Sequence, residues 1–155
     1  MSKITDYLLK DDVIVVMDVD GVLAPYEFSE LSHSMTDDEW DRLVASGENP
    51  YKDVHPIKLM QEFIQKKGID KVYACSKSPS SEIPGKKAFI KNNYDLPDDN
   101  IYFVANKNTK LIILEELQAK LHLKPSQIAE DTVKTLDYIR AHSDFVTVHV
   151  SSFME

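Results

Sequence analysis

Val13-Ile14-Val15-Val16-Met17-Asp18-Val19-Asp20-Gly21-Val22-Leu23 is the stretch on which the reading of this chain turns. Its first five residues are apolar and mostly β-branched, as in a strand covered on both faces in the middle of a parallel sheet. The run then gives way to two carboxylates two positions apart and a glycine. Like charges this close repel, and each resists leaving water, so acids at the mouth of the most apolar strand call for a cation or a catalytic task. Gly21 permits a sharp turn directly after them. The acids then stay at the carboxyl end of the strand, where open α/β sheets bind ligands. The competing reading is an ordinary Asp-Gly turn of solvated residues. An EF-hand loop is excluded: it needs Gly at its sixth position and Glu at its twelfth, and here Gly21 is fourth and Ser29 twelfth.

Outward from this strand the pattern becomes regular. Before it, residues 4 to 10 read as a short leader or helical turn. After it, Ala24-Pro25-Tyr26-Glu27-Phe28 breaks regular structure, and Thr36-Asp37-Asp38-Glu39 has the form of a capping box opening a short helix through Trp40, Leu43 and Val44. Gly47 and Asn49-Pro50 stop it. Residues 26–56 thus read as a small insertion. Ile57, Leu59, Met60, Phe63 and Ile64 form the apolar face of a helix ending at Gly68. Strand Lys71–Cys75 runs into Ser76, loop 79–85 leads to a helix over Ala88, Phe89 and Ile90, and Ile101–Ala105 is a third strand. Leu111, Leu114, Leu117 and Leu121 mark the next helix. Pro125 precedes a very short strand, Ile128-Ala129, that ends in Glu130-Asp131. A helix over Val133, Leu136 and Ile139 leads to a last strand, Phe145–Val150. Five alternations of strand and helix predict an α/β, Rossmann-like, three-layer fold with a central parallel sheet of about five strands. Right-handed crossovers bring Asp18, Asp20, Ser76, Glu130 and Asp131 to one edge of that sheet.

Composition agrees with a single domain over residues 1–155. A net charge of -8 with scattered lysines, including the pairs Lys66-Lys67 and Lys86-Lys87, disfavours long nucleic acid as a partner. No apolar run has the length of a membrane span. The start of the chain lacks a basic segment leading into an apolar core, and the lone Cys75 cannot form an internal disulfide, so a cytoplasmic location is expected. Cys75 itself reads as a small buried hydrophobe.

Asp-x-Asp-Gly-x-Leu closing the first strand, Ser76 closing the second, a lysine at a later helix and an acidic pair after the next strand together resemble the haloacid dehalogenase superfamily. The resemblance spans Val13 to Val150, with the insertion as the variable part. It implies a strand order of 5-4-1-2-3 and a Mg2+-dependent phosphatase acting on a small phosphorylated substrate, a metabolite or nucleotide. It further implies Asp18 as the nucleophile that forms an aspartyl-phosphate, Asp20 as general acid/base, and Ser76 as a donor to a phosphoryl oxygen. Mg2+ would be held by the Asp18 and Asp131 side chains and the Asp20 backbone carbonyl, with Glu130 as the second choice for Asp131. Lys110 is preferred over Lys107 as the motif lysine, because Leu114 and Leu117 follow it at the family's spacing.

The chain departs from the family at its fourth motif, which is compressed, and Asp137 reads as an exposed helix residue instead of a further ligand. Lys77 or Ser78 is a further candidate to touch phosphate, but both read more simply as loop surface. Tyr26, Trp40, Tyr51 and His55 are candidates to cover a substrate, and Trp40 is read more simply as packing the small helix onto the body. Alternatives are a nucleotidase or nucleic-acid end phosphatase of the same superfamily, and a catalytically silent scaffold. A receiver domain is disfavoured, since Ala105-Asn106 leaves the third strand without the required aspartate.

Overall fold

The computed structural model describes residues 3–25, 35–129 and 133–154. Its elements run α1 (Lys3–Leu8), β1 (Val13–Met17), α2 (Asp37–Ala45), α3 (Lys58–Lys67), β2 (Val72–Lys77), α4 (Ile83–Tyr94), β3 (Ile101–Val104), α5 (Thr109–Leu121), β4 (Lys124–Ala129), α6 (Val133–His142) and β5 (Val146–His149). The five strands form one sheet in the order β3-β2-β1-β4-β5, which from the other edge is 5-4-1-2-3. All four pairings are parallel. The fold is thus the expected Rossmann-like α/β architecture, with β1 at its centre.

Two cores follow from the alternation of side chains along the strands. Val13, Val15 and Met17 face one layer with Met60, Phe63 and Ile64 of α3 and Phe89, Ile90 and Tyr94 of α4. Ile14 and Val16 face the other, with Leu111, Leu114 and Leu117 of α5 and Ile139 of α6. Every residue of β1 is completely buried, the burial that its unbroken apolar run demands. Helices leave the sheet toward opposite faces after β1 and after β4, and the crevice between these adjacent strands is the switch point of the sheet.

Local chemistry explains most boundaries. The Thr36 side chain accepts from the Glu39 N–H at 3.2 Å and caps α2. Gly68, at φ 97°, ends α3 with its N–H on Ile64 O. Three expectations need correction. Leu59 is 42% exposed; the apolar stripe of α3 is narrower than its sequence suggests and runs through Met60, Phe63 and Ile64. Helix α4 starts at Ile83, taking Pro84 and Gly85 into its first turn, where proline's missing N–H is harmless. β4 is not a two-residue strand but begins at Lys124 and includes Pro125. Lys124 N–H donates to Asp12 O at 2.8 Å, so the alternation turns the Pro125 nitrogen away from β1. On that side pairing with β5 begins only at Ser126, and no ladder bond is lost. At the other end, Val150 leaves β5 for a short 3-10 turn, Val150–Phe153.

Leu114 is fully buried between α5 and the sheet. Leu114→Ala should lower unfolding free energy by about 2–5 kcal/mol, measured by chemical denaturation, with the m-value unchanged.

Candidate active site

β1 stops at Met17, and the next residue is held where the strand would have continued: Asp18 N–H donates to Ile128 O of β4 at 2.9 Å. The chain then closes into a tight turn. Val19 O accepts the N–H groups of Val22, Leu23 and Ala24, and Gly21 N–H returns to Ala24 O at 2.7 Å. This requires φ 80° at Gly21, a conformation in which a side chain is strained. Val19, Val22, Leu23 and Ala24 are completely buried, so the turn is anchored in the core.

Asp18 is only 7% exposed. Its Oδ1 accepts from Val19 N–H at 3.0 Å and faces Lys110 Nζ, also at 3.0 Å. Lys110 lies in the first turn of α5 and is 1% exposed. Of the two candidate lysines, Lys110 meets the first aspartate; Lys107 sits half-buried in the loop before α5.

Asp20 stands at the centre of a second cluster. Tyr51 donates its hydroxyl to Asp20 Oδ1 at 2.7 Å, and Lys86 Nζ donates to Asp20 Oδ2 at 3.3 Å. The same ammonium donates to Ser76 Oγ at 3.2 Å and Ser78 Oγ at 2.8 Å, and pairs with Glu82 Oε2 at 3.5 Å. It also lies 5.5 Å from the centre of the Tyr51 ring. Glu82 in turn accepts from Trp40 Nε1–H at 2.6 Å. Ser76, near the end of β2, is thus joined through Lys86 to Asp20.

Lys86 is the residue that sequence reasoning missed. It passed for one of a surface pair, yet it is 1% exposed. The signal was its spacing: Lys86, Phe89, Ile90 and Tyr94 form the buried stripe of α4, with Glu82 one turn earlier. Ser78, read as loop surface, is also buried because it holds this lysine, whereas Lys77 is exposed as expected. Trp40 does pack the small helix onto the body, and it adds a hydrogen bond in doing so. Asp137 and His55 are exposed. Glu130, Asp131 and Tyr26 lie outside the described residues.

The charges are unevenly matched. Among the described residues, the ion pairs join Asp18 to Lys110 and both Asp20 and Glu82 to Lys86, and the chain continues from β4 into Glu130 and Asp131. Excess negative charge presented by oxygen donors suits a hard divalent cation such as Mg2+. Among the described residues no three His, Cys, Asp or Glu side chains cluster as a metal site, and the expected third ligand is beyond them. Surface depressions of about 580 and 490 Å3 lie elsewhere, one lined by Lys124, Pro125 and Val146, the other by residues of α3 and the end of α4. Neither is lined by Asp18, Asp20, Ser76 or Lys110.

Burial and the neighbouring carboxylates Asp20, Glu82 and Asp18 push the Tyr51 hydroxyl far above the usual phenol range. Cys75, on the adjoining strand, is pushed up to about 12, chiefly by burial; Lys110 opposes the rise and Asp18 adds to it. It is not a nucleophile.

No protein-family model matches the chain. No curated protein matches it either. Among solved structures it is similar to DsGPDH of Dunaliella salina, with a TM-score of 0.58 at 13% identity over 93% of this chain and 24% of that one. The chain spans about a quarter of that protein's length, and the likeness is one of fold. Among the described residues no helix is long and apolar enough to cross a membrane.

Cys75 should resist a thiol reagent at pH 8 in the folded protein and react at the rate of free cysteine once denaturant is added. Lys110→Met removes the buried ammonium from Asp18 and should destabilise by about 3–5 kcal/mol, whereas Asp18→Asn combined with Lys110→Met should recover much of that loss in a denaturation assay.

Proposed function

We propose that the chain is a Mg2+-dependent phosphatase of the haloacid dehalogenase type, hydrolysing a small phosphomonoester through an aspartyl-phosphate on Asp18. The observation that carries this reading is a buried carboxylate at the switch point of a parallel sheet, fixed by one backbone N–H and one buried ammonium. Structural stability alone does not favour that arrangement, since an ion pair taken out of water is often no better than apolar residues of the same size.

In the first half-reaction an Asp18 oxygen forms a bond to phosphorus while the bond to the leaving oxygen breaks. Asp20 gives its proton to that oxygen, and the alcohol departs. In the second half water attacks the same phosphorus and loses a proton to Asp20. The bond to Asp18 breaks, and inorganic phosphate leaves with Asp18 again a carboxylate and Asp20 again a carboxylic acid. Lys110 stands against the nucleophile and offsets charge on the transferring group. Ser76 donates to a phosphoryl oxygen, and Lys86, already on its hydroxyl, holds it in place. The Asp18 and Asp131 carboxylates and the Asp20 carbonyl would hold Mg2+, which when bound lets an anionic nucleophile approach an anionic ester. A cytoplasmic setting accords with the free, buried Cys75.

With Mg2+ the purified protein should hydrolyse an aryl phosphate, and both chelator and Asp18→Asn should abolish turnover. Beryllofluoride, a mimic of the aspartyl-phosphate, should bind the unsubstituted protein with Mg2+ and not Asp18→Asn. Turnover that persists in Asp18→Asn would sink the assignment of the nucleophile.

A further inference from the structure

Under this reading Asp20 must do two things in succession: deliver a proton to the leaving oxygen, then take one from water. Both need its carboxyl plane to be fixed, and the two oxygens are held by different elements. Tyr51, at the end of the insertion, takes Oδ1, and Lys86, from α4, takes Oδ2. Each carboxylate oxygen has about two acceptor directions, so one on each remains for the reacting group. The two partners differ in kind. Both donate to Asp20, the ammonium with a formal charge and the phenol hydroxyl without one.

We propose, resting on the phosphatase reading, that Tyr51 and Lys86 are positioning residues for the Asp20 proton transfers, so that the insertion contributes Tyr51 to catalysis. Three further contacts support Tyr51 in this role. Its ring meets Trp40 edge-on at 6.0 Å and Phe89 of α4 at 6.1 Å. Its backbone N–H donates to Asn49 Oδ1 at 3.0 Å, and the Asn49 side chain lies against Gly85, where a Cβ would collide with it. The absent side chain at Gly85 lets the insertion approach α4 closely enough for Tyr51 to reach Asp20.

The test is the dependence of kcat/KM on leaving-group acidity, across Mg2+-supported hydrolysis of phosphate esters from an acidic nitrophenol to an unactivated alkyl alcohol. This parameter reports the first half-reaction, in which an acidic phenol departs unaided and an alkoxide does not. Tyr51→Phe keeps the ring contacts. It should lower kcat/KM about 30-fold for the alkyl ester and less than about 3-fold for the nitrophenyl ester, within the range general acid catalysis supplies. Gly85→Ala, which displaces Asn49 and leaves every reacting group intact, should shift the dependence the same way, and it carries the comparison should Tyr51→Phe fail to fold. Tyr102→Phe, on the edge strand, should change neither. An equal loss on all esters, or none, overturns the positioning role while leaving the phosphatase reading in place. Absence of Asp18-dependent turnover of every ester by the unsubstituted protein overturns both.

Discussion

A carboxylate withdrawn from water at the end of the central strand is the constraint from which the rest of the site follows. Asp18 cannot sit there unless something restores the solvation it loses, and for a charge of that size the shortfall is several kcal/mol. Val19 N–H and Lys110 supply the replacement. Lys110 is buried in turn and must come from an element that opens at the same edge of the sheet, as α5 does. The strand order places that helix over the face carrying Ile14 and Val16, so the ion pair and the second core are assembled together. A fold with antiparallel neighbours would send successive strands the opposite way and scatter these groups.

The same logic applies one step out. Asp20 is about a third exposed, and its partner Lys86 is not; the lysine is surrounded by acceptors from β2, the loop after it and the residue that precedes α4. A buried ammonium with all its protons directed is a rigid hub. It connects the strand bearing Ser76 to the turn bearing Asp20, and through Glu82 and Trp40 to the small helix α2. The described end of the insertion is therefore tied to Asp20 and Glu82 by polar bonds as well as by ring packing.

What was legible in the sequence was whatever leaves a periodic mark. The run from Val13 to Met17, the capping box at Thr36 and the leucines of α5 each report a local geometry, and the strand order followed from the family pattern they compose. The Lys110 assignment was legible for the same reason, because its helix register is written by Leu114 and Leu117. Lys86 and Ser78 were hidden, since a polar residue on a buried helical face looks like any surface residue until its partners, up to 66 positions away, are known. Pro125 misled because its cost depends on which neighbour its nitrogen faces, and that is a property of the sheet. Tyr51 is legible as a candidate cover for a substrate, but its reach to Asp20 depends on the Trp40 and Phe89 rings and on the contact of Asn49 with Gly85.

The central position of β1 has a consequence for the chain before it is folded. One of its two neighbours, β4, pairs Val13 with Lys124, about 110 positions later. During synthesis a five-residue, strongly β-forming apolar segment thus emerges long before its second partner exists, the kind of segment that seeds intermolecular pairing. Asp11 and Asp12 precede it, and Asp18 and Asp20 follow it. Charges flanking an unavoidable hydrophobic strand act as gatekeepers against self-association. The acids at the mouth of β1 therefore guard the nascent strand before Tyr51, Lys86 and Lys110 have emerged to hold them.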